Sequence, residues 1–140
     1  MNLVLDASVI AKWFFKEEQT DTALTLLEKH KLAKIKINAP ILLLFEFGNS
    51  VVKKFREDID TQTEFDQDLE DLLATGINFY NPDEESLKQT YALTSKYEIT
   101  FYDATYIALT QNLQCDFITA DKKLYQKTKG LKSVNLLSQI

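Results

Sequence analysis

The sequence predicts an α/β fold with a mostly parallel sheet of four to five strands. Short apolar segments alternate with amphipathic helical patterns along the chain, which is typical of a parallel sheet whose faces are covered by helices. With 140 residues, 45% of them hydrophobic, the chain is long enough for one core of ordinary size. We therefore expect a single domain over residues 1–140.

The predicted strands are short apolar stretches, and each of the first four leads into a helical pattern. In chain order they cover residues 2–5, 36–38, 77–80, 117–119 and 133–136. This alternation of strand and helix is what favours parallel pairing.

Helical spacing of apolar residues fills the intervals between these strands. The predicted helices cover residues 9–16, 21–30, 40–55, 60–74, 82–97, 102–114 and 122–127. Pro40 and Pro82 are well placed to open their helices, because proline is favoured in a first helical turn. Gly76 follows the fourth helix as a stop, and the acidic residues 83–85 complement the dipole of the fifth.

Charge is distributed unevenly along the chain. The formal net charge is −5, but residues 57–85 hold 11 of the 21 acidic residues and neither lysine nor arginine. The rest of the chain carries 16 basic against 10 acidic residues, formally +6, which leaves room for a polyanionic partner. The acidic segment is most simply a solvated helical face, and a docking surface for a basic partner stays open.

The chain has few of the cysteine and histidine residues that soft metal sites need. Cys115 is the only cysteine and His30 the only histidine, which excludes an internal disulfide and a zinc site of the cysteine and histidine kind. Any metal must be held by oxygen.

The first 15 residues lack the basic segment and cleavage site of a signal peptide, and no apolar run approaches the ~20 residues of a membrane span. We expect a cytoplasmic protein that does not contact a membrane.

Four carboxylates lie in segments that are otherwise apolar. They are Asp6 in LVLDAS, Glu46 in ILLLFEFGN, Asp103 in TFYDATYIAL and Asp121 in FITADKKL. Burying one isolated carboxylate costs several kcal/mol, which is roughly the whole stability margin of a small domain. Four such groups require a compensating partner, and a divalent cation is the simplest one.

The predicted topology brings these carboxylates to one edge of the sheet. Parallel sheets bind ligands beyond the carboxyl ends of their strands, where Asp6 and Asp121 follow the first and fourth strands. Asp103 begins a helix whose end leads into the fourth strand, so its first turn lies at the same edge. Glu46 is the one charge in an apolar helical stretch, residues 41–47, which we expect to be buried on every side.

Each carboxylate also has a structural interpretation. Asp6 could be a turn residue or could cap the following helix, a role that is open to Ser8 as well. Asp121 could cap the short helix after it, and Asp103 could form a capping box with Thr100. The glutamate has the weakest alternative, a hydrated stripe shared with its polar neighbours one turn later.

These motifs, in this order, resemble the PIN-domain ribonucleases, and most of all the VapC-type toxins of prokaryotic toxin-antitoxin modules. The matching segments are LVLDASVIAKWF, APILLLFEFGN, FYDATYIALT and FITADKKL, and the similarity extends over essentially the whole chain. Each motif alone is weak, whereas their order and spacing are specific. The resemblance implies a three-layer α/β/α sandwich and a metal-dependent endoribonuclease that hydrolyses RNA phosphodiester bonds.

The resemblance also implies a set of site residues. The catalytic and metal-binding positions are Asp6, Glu46, Asp103 and Asp121, and the auxiliary polar positions are Ser8 and Thr119. Oxygen ligands without nitrogen or sulfur favour Mg²⁺ or Mn²⁺. Asp116 is a lesser candidate, because it begins the fourth strand and should lie at the opposite edge of the sheet.

The implied partners are an RNA substrate, a small antitoxin protein that occludes the site, and a second copy in a homodimer. A solitary PIN-domain nuclease engaged in RNA processing would carry the same four acids, and a non-catalytic module could bind RNA or protein without cutting. A phosphatase of the haloacid-dehalogenase type is disfavoured, because Ser8 stands where its second aspartate would be. The aromatic cluster Trp13, Phe14 and Phe15 could stack on bases, line a dimer interface or fill the core, of which the last two are favoured.

Overall fold

The computed structural model describes residues 1–55 and 61–140, which fold into a five-stranded parallel sheet with helices on both faces. The strands are β1 (Asn2–Leu5), β2 (Lys36–Pro40), β3 (Asn78–Tyr80), β4 (Asp116–Thr119) and β5 (Val134–Leu136). They are hydrogen-bonded in the order β3-β2-β1-β4-β5, and each neighbouring pair is parallel. The predicted α/β class is confirmed.

Helices occupy the intervals between these strands, as the apolar spacing predicted. They are α1 (Ala7–Ile10), α2 (Thr20–Lys31), α3 (Leu42–Lys54), α4 (Gln62–Ala74), α5 (Glu84–Tyr97), α6 (Phe101–Leu113) and α7 (Lys122–Lys127), with 3₁₀ turns at Ala11–Trp13 and Leu137–Gln139. The first predicted helix, residues 9–16, is shorter than expected because α1 passes into the 3₁₀ turn. None of these helices is long and apolar enough to cross a membrane.

Pro40 ends β2 and does not open α3, so that prediction was wrong. Alternate backbone groups of a strand point to opposite neighbours, and the N–H of Ile41 donates to the carbonyl of Tyr80 in β3. The nitrogen of Pro40 therefore faces β1, whose pairing with β2 already ends at Asn38. The missing N–H costs no hydrogen bond there, which is why a strand tolerates proline at this position.

Alternate residues of the strands pack into two cores, one on each face of the sheet. Leu3 and Leu5 of β1 contact the core formed with α1 to α4, whereas Val4 belongs to the core formed with α5 to α7. The sheet is thus the middle of three layers, and the α/β/α sandwich is confirmed.

The aromatic cluster after α1 belongs to the first of these cores. Phe15 is buried, and the ring of Phe14 lies 5.0 Å from that of Phe47, centroid to centroid. Trp13 is partly buried, and its Nε1 donates a hydrogen bond of 2.8 Å to the carbonyl of Ala23. These contacts favour packing over base stacking for the cluster.

Only one face of α3 is buried. Leu43, Phe47 and Val51 pack into the core, whereas Phe45 and Val52 are 73% and 59% exposed. The expectation that this helix would be buried on every side was wrong, because a helix in an outer layer meets the sheet with one face only. Apolar side chains therefore remain on the surface beside Glu46.

The acidic segment, residues 57–85, continues along α4 and reaches the first turn of α5. Residues 57–60, including the predicted start of the helix at Asp60, lie outside the described residues. From Gln62 onward the carboxylates are exposed, except that of Asp68, which is partly buried. For these residues the segment is a solvated face, as the simpler interpretation predicted.

Candidate functional site

The carboxyl ends of β1 and β4 border the point at which the order of the sheet reverses. From β1 the chain continues to β2 and β3 on one side, whereas β4 and β5 lie on the other. Parallel sheets leave a ligand-binding crevice at such a point. Asp6 follows β1 directly and Asp121 follows β4 after one residue, so both lie at this crevice.

Asp6 is the most deeply buried of the four acids, with 7% of its surface exposed. Its Oδ1 caps α1 by accepting hydrogen bonds from the amides of Ser8 at 3.1 Å and Val9 at 3.3 Å. The hydroxyls of Ser8 and Thr119 also donate to this carboxylate. Burial raises the pKa of Asp6 to about 6, although the hydrogen bonds from the two hydroxyls lower it.

Ser8 and Thr119 also join the two loops that form the crevice. The Oγ of Ser8 accepts a hydrogen bond of 2.9 Å from the amide of Ala120, and the Oγ1 of Thr119 accepts one of 3.0 Å from the amide of Asp121. Each hydroxyl therefore contacts both Asp6 and the loop after β4. Asp6 is held in place from two sides.

Glu46 on α3 contacts Tyr106 on α6. The Tyr106 hydroxyl donates a hydrogen bond of 2.7 Å to Oε1 of Glu46, and the tyrosine ring is buried against Phe117 with centroids 5.9 Å apart. Burial raises the pKa of Glu46, the tyrosine hydrogen bond lowers it, and the charge of Asp103 raises it. Burial and the charge of Glu46 also raise the pKa of Tyr106, so the donor is a neutral phenol.

Asp103 and Asp121 lie at the starts of two helices. Asp103 is in the first turn of α6, and its amide donates a hydrogen bond of 3.0 Å to Oγ1 of Thr100, which caps the helix. Burial raises the pKa of Asp103, and the charge of Asp121 raises it further. Asp121 is exposed, and its Oδ1 accepts a hydrogen bond of 3.1 Å from the amide of Leu124 at the start of α7. The capping interpretation is therefore correct for Asp6 and Asp121, which cap α1 and α7 and still lie at the crevice. Of the capping box predicted for Thr100 and Asp103, the described hydrogen bonds include the half in which Thr100 is the cap.

The four acids form a row in which each is close enough to the next for its charge to raise the neighbour's pKa. Besides burial, the charge of Glu46 raises the pKa of Asp6, that of Asp103 raises the pKa of Glu46, and that of Asp121 raises the pKa of Asp103. All four predicted acids thus come together. Asp116 is exposed at the first residue of β4, at the opposite edge of the sheet, as expected.

The row of four acids offers carboxylate oxygens, which are the ligand atoms that a hard cation prefers. Within residues 1–55 and 61–140, no lysine or arginine forms a salt bridge with any of the four acids. In the same part of the chain, no three acidic, histidine or cysteine side chains are already arranged to hold one ion. Repulsion between like charges keeps carboxylates apart, and a bound cation would allow them to close around it.

Tyr106 was not predicted from the sequence, and the burial of Lys12 was not predicted either. Tyr106 follows Asp103 by three positions and so shares its helix face, which is the signal that could have indicated it. Lys12 is buried beside the crevice, where its Nζ lies 3.2 Å from Oε2 of Glu17. Because Lys12 follows Asp6 closely in the sequence, it could belong either to a positive rim around the acids or to a solvated helix face. Its burial contradicts the second interpretation.

The segment from β1 to just beyond α7 matches a known family. The family model of the PIN domain covers residues 3–130 of the chain. The chain belongs to the PIN-domain family. The predicted resemblance to this family is therefore confirmed.

This PIN domain is similar to one relative in sequence and to two solved structures in fold. Ribonuclease VapC3 from Pyrobaculum aerophilum is 30% identical over 135 residues, which are 94% of this chain and 98% of the relative. A toxin-antitoxin complex from Klebsiella pneumoniae has a TM-score of 0.64 at 19% identity, covering 96% of this chain and 97% of its counterpart. VapC20 from Mycobacterium tuberculosis, a sarcin-ricin loop cleaving toxin, has a TM-score of 0.66 at 14% identity, covering 89% and 93%. The two solved structures show a shared fold.

Proposed function

We propose that this PIN domain is a metal-dependent endoribonuclease that hydrolyses RNA phosphodiester bonds and acts as the toxin of a toxin-antitoxin module. The observation that carries the proposal is the row of four acids at the crevice between β1 and β4. Similarity to a ribonuclease over 94% of the chain supports RNA as the substrate class. The alternative of a solitary nuclease in RNA processing shares the same site and differs in its partners.

We assign Asp6 and Asp103 as the principal ligands of Mg²⁺ or Mn²⁺, with Glu46 and Asp121 completing the site or positioning water. When bound, such an ion lowers the pKa of a water molecule and offsets charge on the phosphoryl oxygens. Hydrogen bonds from Ser8 hold Asp6 in one orientation before any ligand arrives. This preorganisation supports the choice of Asp6 as a principal ligand.

Glu46 is assigned to the attacking water. The hydrogen bond from Tyr106 engages Oε1 of Glu46, so we assign the other oxygen, Oε2, to the water. The raised pKa of Glu46, which burial causes, makes this carboxylate a better proton acceptor than a solvated glutamate. In this scheme Glu46 accepts a proton from the water, the water oxygen bonds to phosphorus, and the bond between phosphorus and the 3′ or 5′ oxygen breaks. The released oxygen takes a proton from solvent.

Removal of divalent metal should abolish the activity. We expect purified protein to cleave end-labelled RNA in Mg²⁺ or Mn²⁺ and to lose at least about 100-fold in rate with EDTA, because several kcal/mol of charge stabilisation disappear. Addition of Mn²⁺ in excess over EDTA should restore cleavage. Gel analysis of the RNA over time measures both rates.

A non-catalytic module would give different results in the same preparation. Calorimetric titration with Mn²⁺ should detect one or more ions bound per chain if the acids form a metal site. Protein that neither binds Mn²⁺ nor cleaves RNA would contradict the nuclease proposal and favour the binding module.

Replacement of Tyr106 by phenylalanine should slow cleavage without unfolding the protein. The Tyr106→Phe variant keeps the buried ring but loses the hydrogen bond to Glu46, so we expect kcat to fall roughly tenfold, as for the loss of about 1.5 kcal/mol. Tyr91→Phe is the matched control, because Tyr91 is 67% exposed on α5. Equal kcat in the two variants would contradict the assigned role of Glu46.

Protein partners form the second part of the proposal, because a toxin requires an antitoxin. Phe45 and Tyr102, 73% and 62% exposed, are sequence neighbours of Glu46 and Asp103, and a bound protein would cover such apolar surface. We expect the product of a small reading frame directly upstream of the gene to bind this chain and inhibit cleavage. A solitary nuclease would show no such inhibitor.

A second copy of the chain is the other expected partner. Sedimentation analysis measures whether the protein forms a dimer.

A further inference from the structure

We propose that the cleft beside Glu46 is a phosphate-binding subsite for the RNA backbone, formed by Lys12, Lys53 and Lys54 and restrained by Glu17. This inference rests on the proposed nuclease function and states how the substrate is held next to the acids. It concerns the phosphates that flank the cleaved bond, and it assigns no metal ligand.

The cleft has a volume of about 580 Å³ and opens from the acidic crevice. Ser8, Ala120 and Glu46 line it next to the acids. Farther from the acids, along α3, the 3₁₀ turn and the loop after it, the lining includes three lysines, one glutamate and two uncharged polar residues: Lys12, Lys53, Lys54, Glu17, Asn49 and Ser50. Ala7, Ala11 and Phe15 add apolar surface. Its size lies within the roughly 300–1,000 Å³ of ordinary ligand pockets.

The charges along this cleft favour an anion. Lys53 and Lys54 are exposed in the last turn of α3, and within the described residues neither forms a salt bridge. The Nζ of Lys54 lies 5.8 Å from the centroid of the Phe15 ring, which holds the lysine along the cleft wall. Lys53 follows Glu46 by seven positions, or about 10 Å along the helix axis. We therefore assign Lys53 to a neighbouring phosphate and not to the one that is attacked.

Lys12 is the unusual member of the group. Lysine is almost never buried unless it is paired, and the side chain of Lys12 is 9% exposed with its Nζ 3.2 Å from Oε2 of Glu17. Glu17 itself is 41% exposed, so the partner is the accessible half of the pair. A phosphate group in the cleft offers the same kind of oxygen ligand to Lys12 as Glu17 does. RNA that binds here must therefore compete with Glu17.

Because Glu17 competes with RNA for Lys12, the subsite predicts a substitution that strengthens RNA binding. Most substitutions at a binding site weaken binding, whereas Glu17→Gln should strengthen it, because a neutral amide no longer competes with phosphate for Lys12. We expect the KM for RNA to fall about threefold with kcat unchanged, a gain of roughly 0.6 kcal/mol, because water reaches Glu17 and weakens its attraction to Lys12.

The exposed lysines provide the complementary test. The double variant Lys53→Gln with Lys54→Gln should raise KM about tenfold and leave kcat within about twofold, because these residues contact substrate away from the reacting atoms. Binding of fluorescent single-stranded RNA in EDTA, measured at several salt concentrations, should show a slope of log K against log salt that is shallower by about 1.4, or roughly 0.7 for each lost phosphate contact. Lys88→Gln with Lys96→Gln on α5 is the matched control, with the same loss of charge.

The results separate the subsite from the proposed function. If wild-type protein cleaves RNA with Mn²⁺ but the Lys53 and Lys54 variant keeps its KM and salt slope, or the α5 control loses as much, the subsite is wrong and the nuclease stands. If Glu17→Gln fails to lower KM, Glu17 does not restrain Lys12. If wild-type protein does not cleave at all, the nuclease proposal fails, and the salt slope in EDTA still tests the subsite.

Discussion

The Asp103→Asn substitution should lower kcat/KM for RNA cleavage by about 1,000-fold, which corresponds to roughly 4 kcal/mol of lost transition-state stabilisation. Asp103 stands between Glu46 and Asp121 in the row of acids, so an amide there removes a negative charge from the middle of the row and weakens the metal ligand that we propose. Asparagine has nearly the same shape as aspartate. The hydrogen bond to Thr100 comes from the backbone of residue 103, so the cap of α6 should survive.

Asp116→Asn is the matched control for this experiment. It makes the same change of charge on an exposed acid at the opposite edge of the sheet, and surface changes of this kind stay within about twofold in rate. Calorimetry should show weakened Mn²⁺ binding for Asp103→Asn and unaltered binding for Asp116→Asn. Equal activity of the two variants would refute the assignment of Asp103.

The second large effect concerns stability, and its sign is opposite to that on activity. The Asp6→Asn variant should lose cleavage, yet in metal-free buffer at pH 8 its free energy of unfolding should exceed that of the wild type by about 1–3 kcal/mol. Asp6 has a pKa of about 6 in the folded protein and one near 3.8 when unfolded. The folded state therefore binds the proton more tightly, and ionisation of Asp6 costs on the order of 3 kcal/mol of stability above pH 6.

This cost defines the pH range in which the variant differs from the wild type. As pH falls from 6 toward 4, Asp6 takes up a proton in the folded protein, and the advantage of Asp6→Asn should disappear. Urea denaturation in EDTA between pH 4 and 8 measures the difference, with Asp116→Asn as a control that should show no such trend. An Asp6→Asn variant less stable than the wild type at pH 8 would mean that the hydrogen bonds of Asp6 outweigh its burial.

The four acids could be predicted because the signal that marks them is local. Each one interrupts an apolar segment, and the position of Asp6 and Asp121 after strands follows from the strand pattern alone. The caps formed by these two aspartates are local as well, and the sequence indicated them. One residue can hold a helix end and still present its charge to a crevice, so the two interpretations did not exclude each other.

The partners of the acids could not be predicted in the same way. Tyr106 lies 60 positions from the Glu46 that it contacts, and its apolar neighbours made it indistinguishable from a core residue. The burial of Lys12 depends on how the loop after the 3₁₀ turn folds back to bring Glu17 beside it. Such contacts arise from the packing of separate elements.

The errors about the fold have the same origin. The preference of proline for helix starts predicts that Pro40 opens a helix, but the end of pairing with β1 makes proline acceptable in β2. The apolar stretch around Glu46 predicts burial on every side. Hydrophobicity along a helix does not reveal how many faces meet neighbours, and Phe45 proved to be exposed.

By itself the sequence determined the parallel α/β class, the order of its elements and the four acids, because periodicity and charges within apolar segments are properties of short stretches. Only the tertiary structure decided which acids are neighbours, that Tyr106 engages Glu46, and that a basic cleft extends from the site. These features depend on the strand order β3-β2-β1-β4-β5, which brings the ends of β1 and β4 together from positions more than 100 residues apart. Long-range pairing of this kind is set by the packing of the whole core.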